Sequence, residues 1–306
     1  MKWRGRKGSS NIEDRRGGSS RRGYRPRSHS TRNVRSGGRQ MRLPRTKGSF
    51  ILLAIIVIGA LAFGVNPMSL LDGSIPNSPS NNSAKEQPRT NAEQDELVQF
   101  VSVVIKETED LWDKIFADSN MAYQKPKVVL FSDAVRSGCG QASSSMGPFY
   151  CPADQKVYID LSFYDQLRKQ FGAPGDFAQA YVLAHEVGHH VQQLTGVLPE
   201  FNKARPRLSK TESNEWSVRV ELQADCYAGV WAAYAGQEDL LERGDIAEAL
   251  NAANSIGDDT LQKKMQGYAV PKTFSHGTSE QRKYWFERGY KEGNPASCDT
   301  FKASRL

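Results

Sequence analysis

His185-Glu186-Val187-Gly188-His189 is the stretch of this chain whose residue types and spacing most directly imply chemistry. Two His four residues apart on a helix project from one face, about one turn apart, so two neutral imidazoles can share one tetrahedral Zn2+. Glu186 is one residue round from His185, close enough to reach a water at that metal. Five residues therefore supply a Lewis-acid site, an activated water and a base, which is what hydrolysis of a peptide bond needs. The chain holds only five His, namely His29, His185, His189, His190 and His276, so this spacing is a rare accident in such a composition. The plainer reading is two core histidines with a surface Glu, and the spacing speaks against it. His190 is turned about 100° from His189 by helix geometry and is expected to pack or to support a neighbour.

Catalytic zinc keeps three protein ligands and an open position, so a third ligand is needed. The best candidate is Glu221, in Glu221-Leu222-Gln223-Ala224-Asp225. Glu221 and Asp225 fall on one face of a helical run from about Lys210 to Ala235. Trp216, Val220, Tyr227 and Trp231 form an apolar stripe opposite, so the helix is expected to be interior. A carboxylate on an interior helix needs a metal or a partner. Asp225 then suits the free ring N–H of a ligand His. Glu200, Glu212 and Glu215 are rival third ligands in more polar settings, and an ordinary solvated acidic face is the bland alternative. His276, just before a helix start, could donate to the oxyanion of a tetrahedral intermediate; otherwise it is a loop histidine, and Tyr181 or another Tyr could do that work.

The elements that must position these residues follow from periodicity. Residues 177–194 carry a helical pattern without Pro, with Ala180, Leu183, Ala184, Val187, Val191 and Leu194 on one face and His185 and His189 on the other. Residues 97–117 read as a docking helix. Residues 127–131 and 156–161 read as strands, the second a possible edge for an extended peptide, and 139–151 as a Gly-rich loop. Short helices are expected over 163–171, 245–254 and 259–265, and a last one over 278–290 opened by a Thr278/Gln281 capping box. The fold class is α+β, mostly helical, with a small sheet.

The formal charge of +7 is unevenly divided. Residues 1–47 hold 16 Lys+Arg against 2 acids, and the remainder 25 against 32, so the basic balance describes a tail on an acidic body. That arm, rich in Arg, Gly and Ser, is expected to be disordered and cytoplasmic. It could touch anionic lipid, whereas its few aromatics, Trp3 and Tyr24, argue against specific nucleic-acid reading. Residues 50–65 lack any charge; with the basic flank before them they predict a single-pass transmembrane anchor over 48–66, N-terminus cytoplasmic. A Pro-, Asn- and Ser-rich linker over 67–96 would follow, then a catalytic domain, 97–306, outside the cytoplasm. Such a compartment permits disulfides. Cys139–Cys151 would staple the Gly-rich loop and Cys226–Cys298 would pin the C-terminal tail. Metal ligation and buried free thiols remain the alternatives, although no C-x-x-C pair is present.

With those residues in view, the chain resembles the bacterial family described as putative neutral zinc metallopeptidases. The matching parts are His185 through His190, Glu221 through Trp231, Ser275-His276-Gly277-Thr278-Ser279 with Gln281-Arg282, and the Gly147-to-Pro152 loop. The start is also similar, from Trp3 through Asn11-Ile12-Glu13-Asp14-Arg15-Arg16-Gly17. The resemblance implies a membrane-anchored, zincin-like domain of gluzincin type, acting on a peptide or protein substrate. The expected mechanism has Zn2+ held by His185, His189 and Glu221, with Glu186 as general base, in an enzyme of endopeptidase type. Two rivals stand beside it. One is a catalytically silent, zinc-stabilised envelope scaffold. The other places the function in the basic arm.

Overall fold

The computed structural model describes residues 1–16, 91–304 and 306. A four-stranded sheet is built from β1 (Ile12–Asp14), β2 (Lys127–Phe131), β5 (Phe149–Cys151) and β6 (Lys156–Asp160), in the order β1-β2-β6-β5. β1 and β6 both run parallel to β2, and β5 runs antiparallel to β6. A separate hairpin pairs β3 (Ala134–Ser137) with β4 (Gly140–Ser143). The helices are α1 (Asn91–Asp118), α2 (Phe163–Lys169), α3 (Asp176–Leu194), α4 (Val197–Ala204), α5 (Lys210–Gln237), α6 (Asp245–Ser255), α7 (Asp258–Gln266) and α8 (Ser279–Glu292). The fold is thus mostly helical with small sheets.

α3 and α5 form the centre, and small residues set how closely they lie. A Cβ on Gly188 would come within 3.2 Å of Ala224 Cα and of its carbonyl oxygen. Gly188, inside the His–Glu motif, therefore lets the helix carrying Glu221 approach the helix carrying the histidines. On the far side of α5, a Cβ on Gly289 of α8 would lie 1.9 Å from the Cys226 carbonyl oxygen, and one on Gly229 would lie 2.1 Å from that of Phe286. Two helices this close pack backbone to backbone, which only glycine permits. Tyr181, Phe177, Leu222, Trp231 and Phe286 fill the core between them and are almost fully buried. Both α3 faces are covered, as are both apolar sides of α5, which agrees with an interior second helix. Ser209 and Glu212 form a capping box that starts α5, and Thr278 and Gln281 form one that starts α8.

Several expectations are corrected. The arm expected to be disordered from its first residue begins with a folded segment: Met1 and Trp3 are buried, and β1 adds a parallel strand beside β2. Apolar side chains in an otherwise basic stretch find a slot against α1, with Trp3 and Phe100 edge to face at 5.5 Å between centroids. The Met1 α-ammonium lies 3.0 Å from Asp176 Oδ1, 2.8 Å from Glu242 Oε2 and 3.5 Å from Asp245 Oδ2. The domain therefore includes residues 1–16 as well as α1, which starts at Asn91 rather than at 97. The anchor expected over 48–66 lies outside the described residues, as does the linker up to residue 90. Among the described residues no helix is long and apolar enough to cross a membrane. The Gly-rich loop contains β4 and β5, because the hairpin and the edge strand use its polar residues in turns. The strand over 156–160 is interior, flanked by β2 and β5, so the edge falls to β5. Both disulfides are formed as paired in the sequence reading, Cys139–Cys151 and Cys226–Cys298, with Cα separations of 5.8 and 5.6 Å.

Candidate metal and catalytic site

α3 and α5 bring His185, His189 and Glu221 together, with one donor atom from each within 4.8 Å of the others. His185 Nε2 is 3.2 Å from Glu221 Oε2, and His189 Nε2 is 3.6 Å from Glu221 Oε1. The opposite ring nitrogens are committed elsewhere. His185 Nδ1–H donates to Asp225 Oδ1 at 2.8 Å, and His189 Nδ1–H to Gln192 Oε1 at 2.8 Å. Each partner thereby holds a proton on Nδ1 and turns Nε2 toward Glu221; in the metal-free fold the His185 Nε2–H donates to that carboxylate, and Nε2 becomes a ligand once its proton leaves. Two imidazole nitrogens and a carboxylate, converging with both rings oriented, are a donor set that suits Zn2+. The rival acids are elsewhere: Glu200 and Glu215 are exposed and Glu212 caps α5.

Asp225 is the hub behind the site. It is fully buried and also accepts from Tyr181 Oη at 2.5 Å, from Arg282 Nε at 2.8 Å and from Arg282 Nη2 at 2.9 Å. Burial would raise its carboxyl, but Arg282 and His185 hold it down at about 2. Tyr181 is thus fully buried and tied to Asp225, so it is not placed to act on substrate. Gln192, which orients His189, is itself fixed by donating to the Val220 carbonyl and to Gln223 Oε1. Arg282, Gln192 and the partner of His276 described below were not assigned roles from sequence. Arg282 stands in the resembling Gln281-Arg282 pair, and Gln192 is three residues after His189 on one helix face, which were the available signals.

Burial pulls the His185 imidazole down, but the Asp225 and Glu221 carboxylates outweigh it and lift it to about 10. Glu221 is held well below the usual carboxylate range by His189, His276 and His185 against the opposing effect of burial. Glu186 shows the reverse: burial raises its carboxyl, only partly opposed by His189 and His185, and the Tyr150 backbone N–H donates to it. A carboxyl raised by burial and set beside two imidazoles is suited to take up and return a proton.

His276 reaches the site from the segment before α8. Burial acts against its charge, but Glu221 and Asp258 raise its pKa. Its Nδ1 lies 3.1 Å from Asp258 Oδ1, while Asp258 Oδ2 accepts the backbone N–H groups of Ser275, His276 and Gly277. Asp258 thus fixes both the loop and the ring. His190 is a supporting residue: its Nε2–H donates to the Gln124 carbonyl, its Nδ1 accepts from Tyr150 Oη at 3.0 Å, and burial lowers its pKa. This ties edge strand β5 to the helix. Beyond Glu221 opens a cleft of about 290 Å³, walled by Tyr150, Pro152, Leu198, Phe201 and Val220, with His189 and His276 on its floor. The second acidic group, Asp176, Asp245 and Glu248, is taken up by the Met1 α-ammonium and the Phe177 N–H.

Residues 1–301 match the family model described as "Putative neutral zinc metallopeptidase". The chain belongs to this family. It is 46% identical over 304 residues to "Uncharacterized protein YpfJ" of Escherichia coli K12, covering 99% of this chain and 100% of that protein. It is 44% identical over 232 residues to "Uncharacterized protein Rv2575" of Mycobacterium tuberculosis H37Rv, covering 72% of this chain and 76% of that one. No solved structure matches significantly. The family name implies zinc and a peptidase, and the family match runs through both the His–Glu helix and the docked N-terminal segment.

Proposed function

We propose that this chain is a zinc-dependent peptidase, of endopeptidase type, with His185, His189 and Glu221 as the metal ligands. The observation that carries the reading is the convergence of two oriented Nε2 atoms on a carboxylate, with Glu186 one residue from a ligand. When bound there, zinc supplies a Lewis acid that acidifies water and polarises a peptide carbonyl. Glu186 takes the proton of the attacking water and delivers it to the leaving nitrogen. His276, oriented by Asp258, donates a hydrogen bond to the oxygen that gains charge. The free edge of β5 offers backbone groups to an extended peptide beside the cleft.

The same reading places the domain in an oxidising compartment outside the cytoplasm, which the two disulfides favour. Docking of residues 1–16 on the domain puts both on one side, so a membrane tether at the uncharged residues 50–65 would enter and leave on that side rather than cross once. The test is zinc per mole of the purified full chain, followed by cleavage of a denatured protein substrate. Near-stoichiometric zinc is expected, lost in Glu221→Ala, while Glu186→Gln keeps zinc and loses cleavage. Equal turnover in Glu186→Gln and wild type would refute the mechanism. Zinc without cleavage of any substrate would favour a zinc-stabilised scaffold.

A further inference from the structure

The cleft beyond Glu221 has a charge that differs from its surroundings. Outside residues 1–47 the chain carries 25 Lys+Arg against 32 acids, yet the cleft lining presents Arg205 and Lys210 against one acid, Glu221. Glu221 faces the two histidines of the site, so it is not available to the cations at the outer wall.

Arg205 stands out among these cations. It follows α4 in a single 3₁₀ turn fixed by Pro206, and its guanidinium lies over the Phe201 ring, 5.3 Å from the centroid. It is partly buried, and no acid among the described residues pairs with it. Burial, unopposed by any carboxylate, lowers its pKa. Guanidinium groups that lose water without gaining an anion are poorly satisfied, and a planar, aromatic-stacked fork is shaped to grip a carboxylate with two parallel hydrogen bonds. Lys210 adds a second positive charge at the same wall.

We propose that Arg205 is the specificity-determining residue of the cleft and binds a carboxylate of the substrate peptide, either an Asp or Glu side chain or the C-terminal carboxylate. This rests on the peptidase reading, since the cleft opens from the candidate metal site. It makes acidic or C-terminal peptide segments the preferred substrates, with Phe201, Leu198 and Tyr150 covering their apolar neighbours.

The test measures equilibrium binding, so that it does not depend on turnover. The zinc-loaded full chain carrying Glu186→Gln is titrated with four fluorescent peptides of one neutral sequence. One has an internal Glu, one has Gln in its place, one ends in a free carboxylate and one ends in an amide. A charge-assisted pair predicts about tenfold or more tighter binding for whichever carboxylate is recognised. Arg205→Ala in the same background removes the preference, and Arg205→Lys restores only part of it. The Glu/Gln and acid/amide comparisons separate the two sources. Equal binding of all four peptides, no measurable binding of any, or a preference that survives Arg205→Ala would overturn the proposal. Cleavage by wild type without a carboxylate preference would leave the peptidase reading standing and remove this one. A preference without cleavage would do the opposite.

Discussion

Replacing Asp225 by Asn keeps the side chain's shape and removes its charge, which separates two jobs that Asp225 does at once. It pairs with Arg282, whose side chain is only 4% exposed, and it orients His185 through Nδ1. The first loss leaves a buried guanidinium without a counter-charge, and turns an NH2 group toward donors, which should destabilise the fold by about 3–5 kcal/mol. At a urea dependence of about 3 kcal/mol per molar, the unfolding midpoint of the metal-free protein falls by about 1 M or more. The second loss deprives His185 of a charged acceptor and weakens zinc binding by about 10- to 100-fold. The double variant Asp225→Asn/Arg282→Met removes both charges of the pair. Its stability should recover most of the deficit, because a buried pair replaced whole is often neutral, while zinc affinity stays low. Urea melts of the metal-free proteins, with zinc competition titrations, read the two effects separately. A single variant that melts with wild type, or a double variant no more stable than the single, would refute the assignment of Asp225 as the buried counter-charge.

Three further outcomes are expected. His185 is raised from 6.5 to about 10 in the metal-free fold, so its ion-pair stability is fully present below about pH 6.5 and is lost as pH rises through about 10. Zinc must displace that proton, so affinity should rise about tenfold per pH unit for each proton released over this window; calorimetry in buffers of different ionisation enthalpy should show release near pH 7, and its absence would count against His185 as a ligand. Gly289→Ala puts a methyl 1.9 Å from the Cys226 carbonyl oxygen and should force α8 off α5 at a loss of about 1–3 kcal/mol or more, read as a lower thermal midpoint. Removing residues 1–16 strips β1 from the sheet and uncovers the Trp3–Phe100 contact and the Met1 ion pairs, so the shortened protein should melt markedly lower than the full chain.

The two halves of the His185, His189 and Glu221 grouping were legible in sequence because helix geometry fixes which residues four apart share a face, and that alone aligns His185 with His189 and Glu221 with Asp225. Which acid completes the cluster was approachable only through burial, and it is the close approach at Gly188 and Ala224 that makes Glu221 reach. Arg282 and Asp258 act across segments that no local spacing connects: Arg282 lies 57 residues from Asp225 and Asp258 lies 18 from His276. The N-terminal strand was misread for a related reason. Its composition, Arg- and Gly-rich, describes the average of 1–47, whereas docking is decided by a few residues, Met1, Trp3 and Ile12, whose slots are formed by elements more than 80 residues away.

The docked N-terminus changes how the chain between it and the domain is fastened. Arg16 Nη1 reaches the Gln94 carbonyl at 3.5 Å, so the two ends of the described chain that flank residues 17–90 meet at one place. Residues 1–16 are held against the body non-covalently, by a clasp of one parallel strand and the Met1 ion pairs. A single proteolytic cut anywhere in residues 17–90 would yield two fragments that remain one particle, with the short N-terminal piece still seated. Separating the N-terminal fragment from the domain would then take two events, a nick in the backbone and the unseating of the clasp.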